Sequence, residues 1–259
     1  MAETFMADKR DGVLTVTLNR PGRLNATNGR ARQEMSTFWQ SVHDDRGVRC
    51  IVLTGAGRAF CAGADAEDMS TGRRPRGDVG YIAAVDFCPG EWVEVPIIVA
   101  VNGLCVGAGL NFVADGDLVL ASEESWFSDP HVSVGQVSAM EPLFLAPKVP
   151  YPTIARLVLL GSSYRMSARE ALAAGLVHEV LDPEALMPRA QEMAEVISRQ
   201  SPTALKESLR VMRQYARSLI ANQLDEAWLV AYRHFSHPDG TEGPLAFMEK
   251  RTPRWVQPD

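Results

Sequence analysis

Twice in this chain an apolar strand runs into a tight, small-residue turn, and no other feature limits its fold as strongly. The first strand, Cys50-Ile51-Val52-Leu53-Thr54, leads through a Gly-rich bend to Phe60-Cys61-Ala62-Gly63-Ala64-Asp65. The second, Ile97-Ile98-Val99-Ala100, leads to Val101-Asn102-Gly103-Leu104-Cys105-Val106-Gly107-Ala108-Gly109-Leu110-Asn111. Each reads as strand, turn and helix start, and that alternation argues for a largely parallel, buried sheet. Such turns leave backbone N–H groups unengaged at the positive end of a helix. Two of them aimed at one point form an oxyanion hole, which stabilises charge developing on a carbonyl oxygen. One turn alone reads first as a close backbone packing contact. The ordered pair, with its surroundings, shifts the reading to function.

The rest of the chain supplies ordinary α/β material. Val13 to Leu18 alternates as a strand behind the turn Arg10-Asp11-Gly12. A helix is expected from about Asn28 to Asp44, with Met35, Phe38, Trp39 and Val42 on one face. From Ile154 onward the pattern is mostly helical: Ile154 to Leu160, Ala168 to Ala174, Pro183 to Gln200, and one long stretch from Thr203 to Phe235. Ser70 to Gly80, rich in Gly and Arg, reads either as a plain surface loop or as a loop bordering a cleft. At 259 residues, the chain suits one α/β domain with a helical appendage.

Charge and cysteine usage exclude several classes. A formal net charge of −6 argues against a nucleic-acid partner. No apolar run approaches the ~18 residues of a membrane span, and Met1 to Arg10 lacks the apolar core of a signal peptide. No membrane partner and a cytoplasmic location are therefore expected. Cys50, Cys61, Cys88 and Cys105 match neither a zinc site nor a CxxC redox pair, so no metal is expected. Cys61 adjoins the first turn, but nothing in the sequence marks a base to activate it, and it reads as packing. Trp126, Phe127, Phe144 and Trp255 read as core or interface residues.

Beyond the turns, further stretches carry a family resemblance. They are Thr17-Leu18-Asn19-Arg20-Pro21 with Leu24-Asn25-Ala26, then Ile51 to Gly55, Ala59 to Asp65 and Ala100 to Gly109. Near the C-terminus stand Glu242-Gly243, the run Ala246-Phe247-Met248-Glu249-Lys250-Arg251, and Pro253. Together they resemble the crotonase superfamily, the enoyl-CoA hydratase/isomerase family, over essentially the whole chain. The resemblance implies a ββα spiral core over residues 1–200 and a C-terminal helical region over 201–259 that trimerises and helps close the site. It implies an acyl-CoA thioester as partner, with coenzyme A part of the substrate and no separate cofactor. It also implies a homotrimer or a dimer of trimers.

The same resemblance assigns the oxyanion-hole donors to the backbone N–H groups of Ala64 and Ala108. Gly63, Gly107 and Gly109 let the ligand approach the backbone. Ala62, Ala64 and Ala66 would line the adenine pocket, and Glu67 stands where many relatives carry a lysine. Since coenzyme A is anionic, local cations such as Arg20, Arg23 and Lys250 would hold it.

The departure lies in the acid/base positions. Family hydratases carry a glutamate two residues beyond the second turn's last glycine, where this chain has Asn111. They carry another in a Pro-Glu pair after a short strand, where Phe127-Ser128-Asp129-Pro130 leads here to His131. Hydration of an enoyl thioester needs a base for water and a proton for the α-carbon. Asn111 can orient a water but cannot supply a proton near neutral pH. His131, with a reference pKa of ~6.5, can give or take one. One such group serves double-bond migration, hydrolysis, or C–C cleavage of a β-keto acyl-CoA more readily than hydration, so hydration of short straight-chain substrates is expected to be slow. A non-catalytic acyl-CoA binder is the competing class. Asp129 could orient His131, although two residues apart they could also point the same way without touching. Glu141, in Ser138-Ala139-Met140-Glu141-Pro142, reads as an N-terminal helix charge or as a substitute acid or base.

Overall fold

A computed structural model describes residues 4–65 and 80–256 of the chain. The strands are β1 (Phe5–Arg10), β2 (Val13–Leu18), β3 (Cys50–Gly55), β4 (Ala59–Cys61), β5 (Ile97–Val101), β6 (Leu104–Val106), β7 (Leu118–Ser122), β8 (Trp126–Ser128), β9 (Met166–Ser167) and β10 (Glu179–Leu181). They form a six-stranded sheet in the order β1-β2-β3-β5-β7-β10 and a four-stranded sheet in the order β4-β6-β8-β9. β1 and β9 run antiparallel to their neighbours; the other pairings are parallel. From β3 to β8 successive strands alternate between the large and the small sheet, so this part of the chain winds as a spiral.

The two strand–turn–helix readings therefore need one correction. A second strand, three residues long, stands between each apolar strand and its turn. Three residues are too few to show a period of two. β1 also escapes the pattern, because beyond Phe5 its residues are exposed. Asp11 and Gly12, at φ of 49° and 83°, make the tight turn that folds β1 onto β2.

β3 shows why its sequence is apolar throughout. Ile51 and Leu53 face the main core, while Cys50 and Val52 face a second core closed by Leu186, Ala190 and Ala194. Those three lie on a helix over Pro183–Ser198 that covers the large sheet. Near the chain's start, helix α1 (Gly29–His43) begins where Asn28 accepts a hydrogen bond from the Ala31 N–H at 2.8 Å. It buries Met35, Trp39 and Val42, with Phe38 packed alongside. The Trp39 indole donates to the Phe87 carbonyl at 2.8 Å.

Four more helices position the site. α2 (Gly109–Asp115) follows the second turn, and α3 (Met140–Leu145) packs against it. The long helical stretch expected from Thr203 breaks at Leu219 and Ile220 into α4 (Pro202–Ser218) and α5 (Ala221–His234). Arg213 of α4 ties this region to its own core, donating to both Asp117 oxygens and to the Val93 and Val95 carbonyls. Leu224 and Trp228 of α5 pack with Met140. Trp126 carries the Arg165 guanidinium over its ring, Phe127 is fully buried, and Phe144 packs on the Met140 cluster.

The last helix, α6 (Asp239–Glu249), rests on the 3-10 turn His131–Val134. The resemblance implied packing of this segment against a neighbouring subunit; within the chain it already covers the residues after His131. The approach is so close that a Cβ on Gly243 would overlap the Val134 backbone. Gly243→Ala is accordingly expected to destabilise the protein by about 1–3 kcal/mol, the cost of overpacking a tight contact. Gly240→Ala, whose Cβ meets nothing nearer than 3.5 Å, is the control and should leave the thermal midpoint nearly unchanged. Equal midpoints for the two variants would contradict this account of the contact.

Candidate active site

The two turns meet. Gly63 has φ of 89°, and a Cβ there would stand 2.9 Å from the Val106 carbonyl oxygen and 3.6 Å from the Ala108 nitrogen. Only glycine adopts that conformation at such a separation without strain. Gly109 is similarly confined, since its Cβ would lie 2.9 Å from the Cys61 carbonyl oxygen. Among the described residues, neither the Ala64 nor the Ala108 amide has a hydrogen-bond acceptor. Ala62 donates to the Leu24 carbonyl at 3.0 Å. Ala66, Glu67 and the loop up to residue 79 lie outside the described residues.

The N-terminal stretch braces the first turn. Thr27 donates to the Gly63 carbonyl at 2.8 Å and accepts from the Asp65 N–H at 2.9 Å. Asn25, at φ of 57°, donates to the Ala56 and Ala59 carbonyls at 3.0 and 2.7 Å. Arg20 donates to the Ala26 carbonyl and pairs with Asp65 at 3.1 Å. Arg20, expected as a cation for coenzyme A, thus serves the turn itself. Arg23 and Lys250 are exposed, and no hydrogen bond or ion pair among the described residues joins Lys250 to either turn.

His131 stands directly over the second turn. A Cβ on Gly107 would lie 3.7 Å from His131 Cε1. Of the two alternatives read for Asp129 and His131, the geometry is the one in which they touch. His131 Nδ1 lies 2.5 Å from Asp129 Oδ1, and the His131 backbone N–H donates to that same oxygen at 3.2 Å. The intervening proline folds the chain back and lets a carboxylate reach a ring two residues on. Ser138 donates to the other Asp129 oxygen at 2.5 Å. No pattern in the sequence marks Ser138, because the contact closes a loop of nine residues.

Glu141 enters from α3. It sits in that helix's first turn, and its carboxylate reaches the site as well. Its Oε1 accepts from Asn111 Nδ2 at 2.9 Å and lies 3.8 Å from His131 Nε2. Asn111 is 4% exposed, and its Oδ1 has no hydrogen-bond partner among the described residues. The four groups therefore form one chain: Asp129, His131, Glu141, Asn111.

Electrostatics correct the expected protonation state. Burial alone would lower the His131 pKa, but the Glu141 and Asp129 carboxylates on either side raise it to about 9, against a smaller opposing effect from Arg32. Burial pushes the Asp129 carboxyl up, yet its bonds to His131 and Ser138 hold it below the usual range. At neutral pH the ring is thus an imidazolium, a proton donor. Because its pKa is raised above the unfolded ~6.5, its contribution to stability is complete below that pH and is lost as pH rises through about 9. Cys61 is fully buried, and burial pushes its thiol up to about 11, as a packing residue requires.

The enoyl-CoA hydratase/isomerase family model matches residues 8–258. The chain belongs to that family. It is 31% identical over 260 residues to a carnitinyl-CoA dehydratase of Proteus mirabilis, covering 98% of this chain and 99% of the relative. It is 33% identical over 269 residues to a 1,2-epoxyphenylacetyl-CoA isomerase of Escherichia coli, covering 99% of each. The solved carnitinyl-CoA hydratase of Mycobacterium avium superposes with a TM-score of 0.86 at 29% identity, over 98% of this chain and 99% of that one. The fold is the family's crotonase spiral, and the family's lyases and isomerases set the class of enzyme. Among the described residues, no helix is long and apolar enough to cross a membrane.

The charge chain makes a direct prediction. In an NMR titration, the His131 Cε1 proton of the wild type should shift with a midpoint near 9. Asp129→Asn removes one flanking anion and should move that midpoint down while leaving the fold intact. An unchanged midpoint would remove Asp129 from the account.

Proposed function

We propose that the protein processes acyl-CoA thioesters through an enolate held by the Ala64 and Ala108 amides. The observation that carries this reading is the convergence of the two turns, with both amides unengaged, beside the His131–Glu141 pair. A thioester oxygen between the two N–H groups gains charge as the α-proton leaves, and fixed dipoles stabilise that charge without reorganising. The side chains at 64 and 108 are irrelevant to this beyond being small.

The sequence suggested an Asn111/His131 pair, with Glu141 read as a helix charge or as a substitute acid or base. The geometry supports a division of labour instead. Glu141 is the base, taking a proton from the α-carbon or from water. His131, held protonated by Asp129 and Glu141, is the acid. Asn111 orients Glu141 through its Nδ2 and presents its carbonyl oxygen to the ligand. An acid and a base of opposite protonation state on one substrate suit addition or elimination of water across the α,β bond. In the elimination direction Glu141 accepts the α-proton, the C–O bond breaks, and the departing hydroxide takes the His131 proton to leave as water. Double-bond migration needs Glu141 alone and is the second reading, which the named isomerase relative favours.

Ala62, Gly63 and Ala66 would line the adenine site, with Gly107 beneath the thioester and Arg23 and Lys250 meeting the phosphates. The cytoplasm supplies such thioesters, and no metal or further cofactor enters the scheme. Assembly as a homotrimer, or a dimer of trimers, is supported by the exposed stripe Val211, Met212, Tyr215 and Leu219 on α4 and its end. Light scattering at micromolar concentration should give three or six times the 28.4 kDa chain mass; a monomer would contradict the assembly.

The catalytic assignment is tested by turnover of enoyl-, β-hydroxyacyl- and β-keto acyl-CoA, read by mass spectrometry. His131→Ala and Glu141→Gln should each lower kcat/KM by about 10²–10⁴-fold, the usual worth of a general acid or base. Ala108→Pro, which deletes one amide donor, should cost about 10²-fold or more. Because the acid must hold its proton, wild-type activity should fall as pH rises through about 9. Turnover that survives both His131→Ala and Glu141→Gln would sink the assignment. Tight binding with no turnover on any substrate would favour the non-catalytic reading, and cleavage only of the β-keto substrate would favour C–C cleavage.

A further inference from the structure

Beside Asn111 lies a cavity of about 240 Å³. Asn111, Asp115, Phe144, Lys148, Arg213 and Arg217 are among its walls. For a chamber next to an acyl site this lining is unusually rich in charge. The cations are all engaged. Lys148 donates to the Gly116 and Val113 carbonyls. Arg213 holds Asp117 at 2.6 and 3.0 Å, and Arg217 holds Glu91 at 2.5 Å.

The acceptors are not all engaged. Asn111 Oδ1 is buried without a partner. Its orientation is pinned, because a flipped amide would set its oxygen against the Glu141 carboxylate at 2.9 Å. Asp115, one helical turn further along the same face of α2, accepts from the Gly90 N–H at 2.5 Å through Oδ2. Among the described residues its Oδ1 receives no hydrogen bond, and no ion pair reaches Asp115. Burial lifts its carboxyl to about 6, against the opposing effects of the Gly90 N–H and Arg213. A hydrocarbon tail entering here would strip water from the Asp115 carboxylate and leave Asn111 Oδ1 still unpartnered, giving nothing back.

We propose that this chamber receives the acyl group and selects chains that carry a hydrogen-bond donor, a hydroxyl or an amine, at their distal end. The inference rests on the acyl-CoA reading and adds the substrate class to it. Asn111 joins the two regions: its Nδ2 belongs to the reaction centre through Glu141, and the residue also lines the chamber. Asp115 at the far end then meets the distal group.

Three thioesters of equal length test this: heptanoyl-CoA, 6-hydroxyhexanoyl-CoA and 6-aminohexanoyl-CoA, titrated into the full-length protein by calorimetry. At least one donor-bearing thioester should bind about tenfold or more tighter than heptanoyl-CoA, since a site built around unpaired acceptors discriminates against the ligand that cannot fill them. Asp115→Leu should collapse that ratio toward one. Asp115→Asn, the milder change, should abolish any preference for the amine over the hydroxyl. Equal or tighter binding of heptanoyl-CoA to the wild type would overturn the inference while leaving the acyl-CoA reading standing, as would a donor preference that persists in Asp115→Leu. Failure of all three thioesters to bind would overturn the acyl-CoA reading itself.

Discussion

The contact between the two turns governs everything else in this molecule. Gly63 lies so close to Val106 and Ala108 that a single added carbon would collide with the Val106 carbonyl. That closeness brings two unengaged amides to one place, and it can be reached only if the strands feeding the turns are in register. β4 and β6 supply the register as neighbours in the small sheet, while β3 and β5 repeat it in the large one. The spiral winding is therefore less an architecture that happens to hold a site than the means by which two backbone segments distant in sequence are set side by side. Backbone dipoles placed this way are worth more than mobile side chains, because they need no reordering as charge develops.

Holding that contact requires polar bracing where apolar packing cannot reach. Arg20, Asn25 and Thr27 bond to the bend and turn around residues 56–65, mostly through backbone carbonyls. Asn25 is suited to the task, since asparagine tolerates the left-handed conformation and its amide reaches the Ala56 and Ala59 carbonyls. Arg20, expected from the sequence to meet a ligand, instead fixes the turn.

The electrostatics of the site follow from crowding two carboxylates around one imidazole. Burial opposes charging His131, but two carboxylates oppose it more strongly in the other direction, and the balance makes the ring an acid at neutral pH. Asn111 replaces a carboxylate without abandoning its place in the network. It donates to Glu141, which lies in the next helix and restores the lost negative charge. The Glu141 carboxylate lies 3.8 Å from the histidine, so the network carries a negative charge although position 111 carries none.

What the sequence determined by itself was local and periodic. The buried strands β3 and β5, the helix from Asn28 to Asp44 with its capping asparagine, and the two small-residue turns are all written in neighbouring residues. So was the absence of both family glutamates, because position within a motif needs no folding to be read. The three-residue strands were not legible, since their burial comes from the sheet they join and not from a pattern of their own. Nor were the partners of His131 fully legible. Asp129 lies close in sequence, yet its reach depends on the fold-back at Pro130; Ser138 and Glu141 depend on where α3 packs. The charge state of the ring was decided only there. A pKa is set by what surrounds a group in space, and only tertiary structure places Glu141 against a histidine ten residues away and an asparagine thirty away.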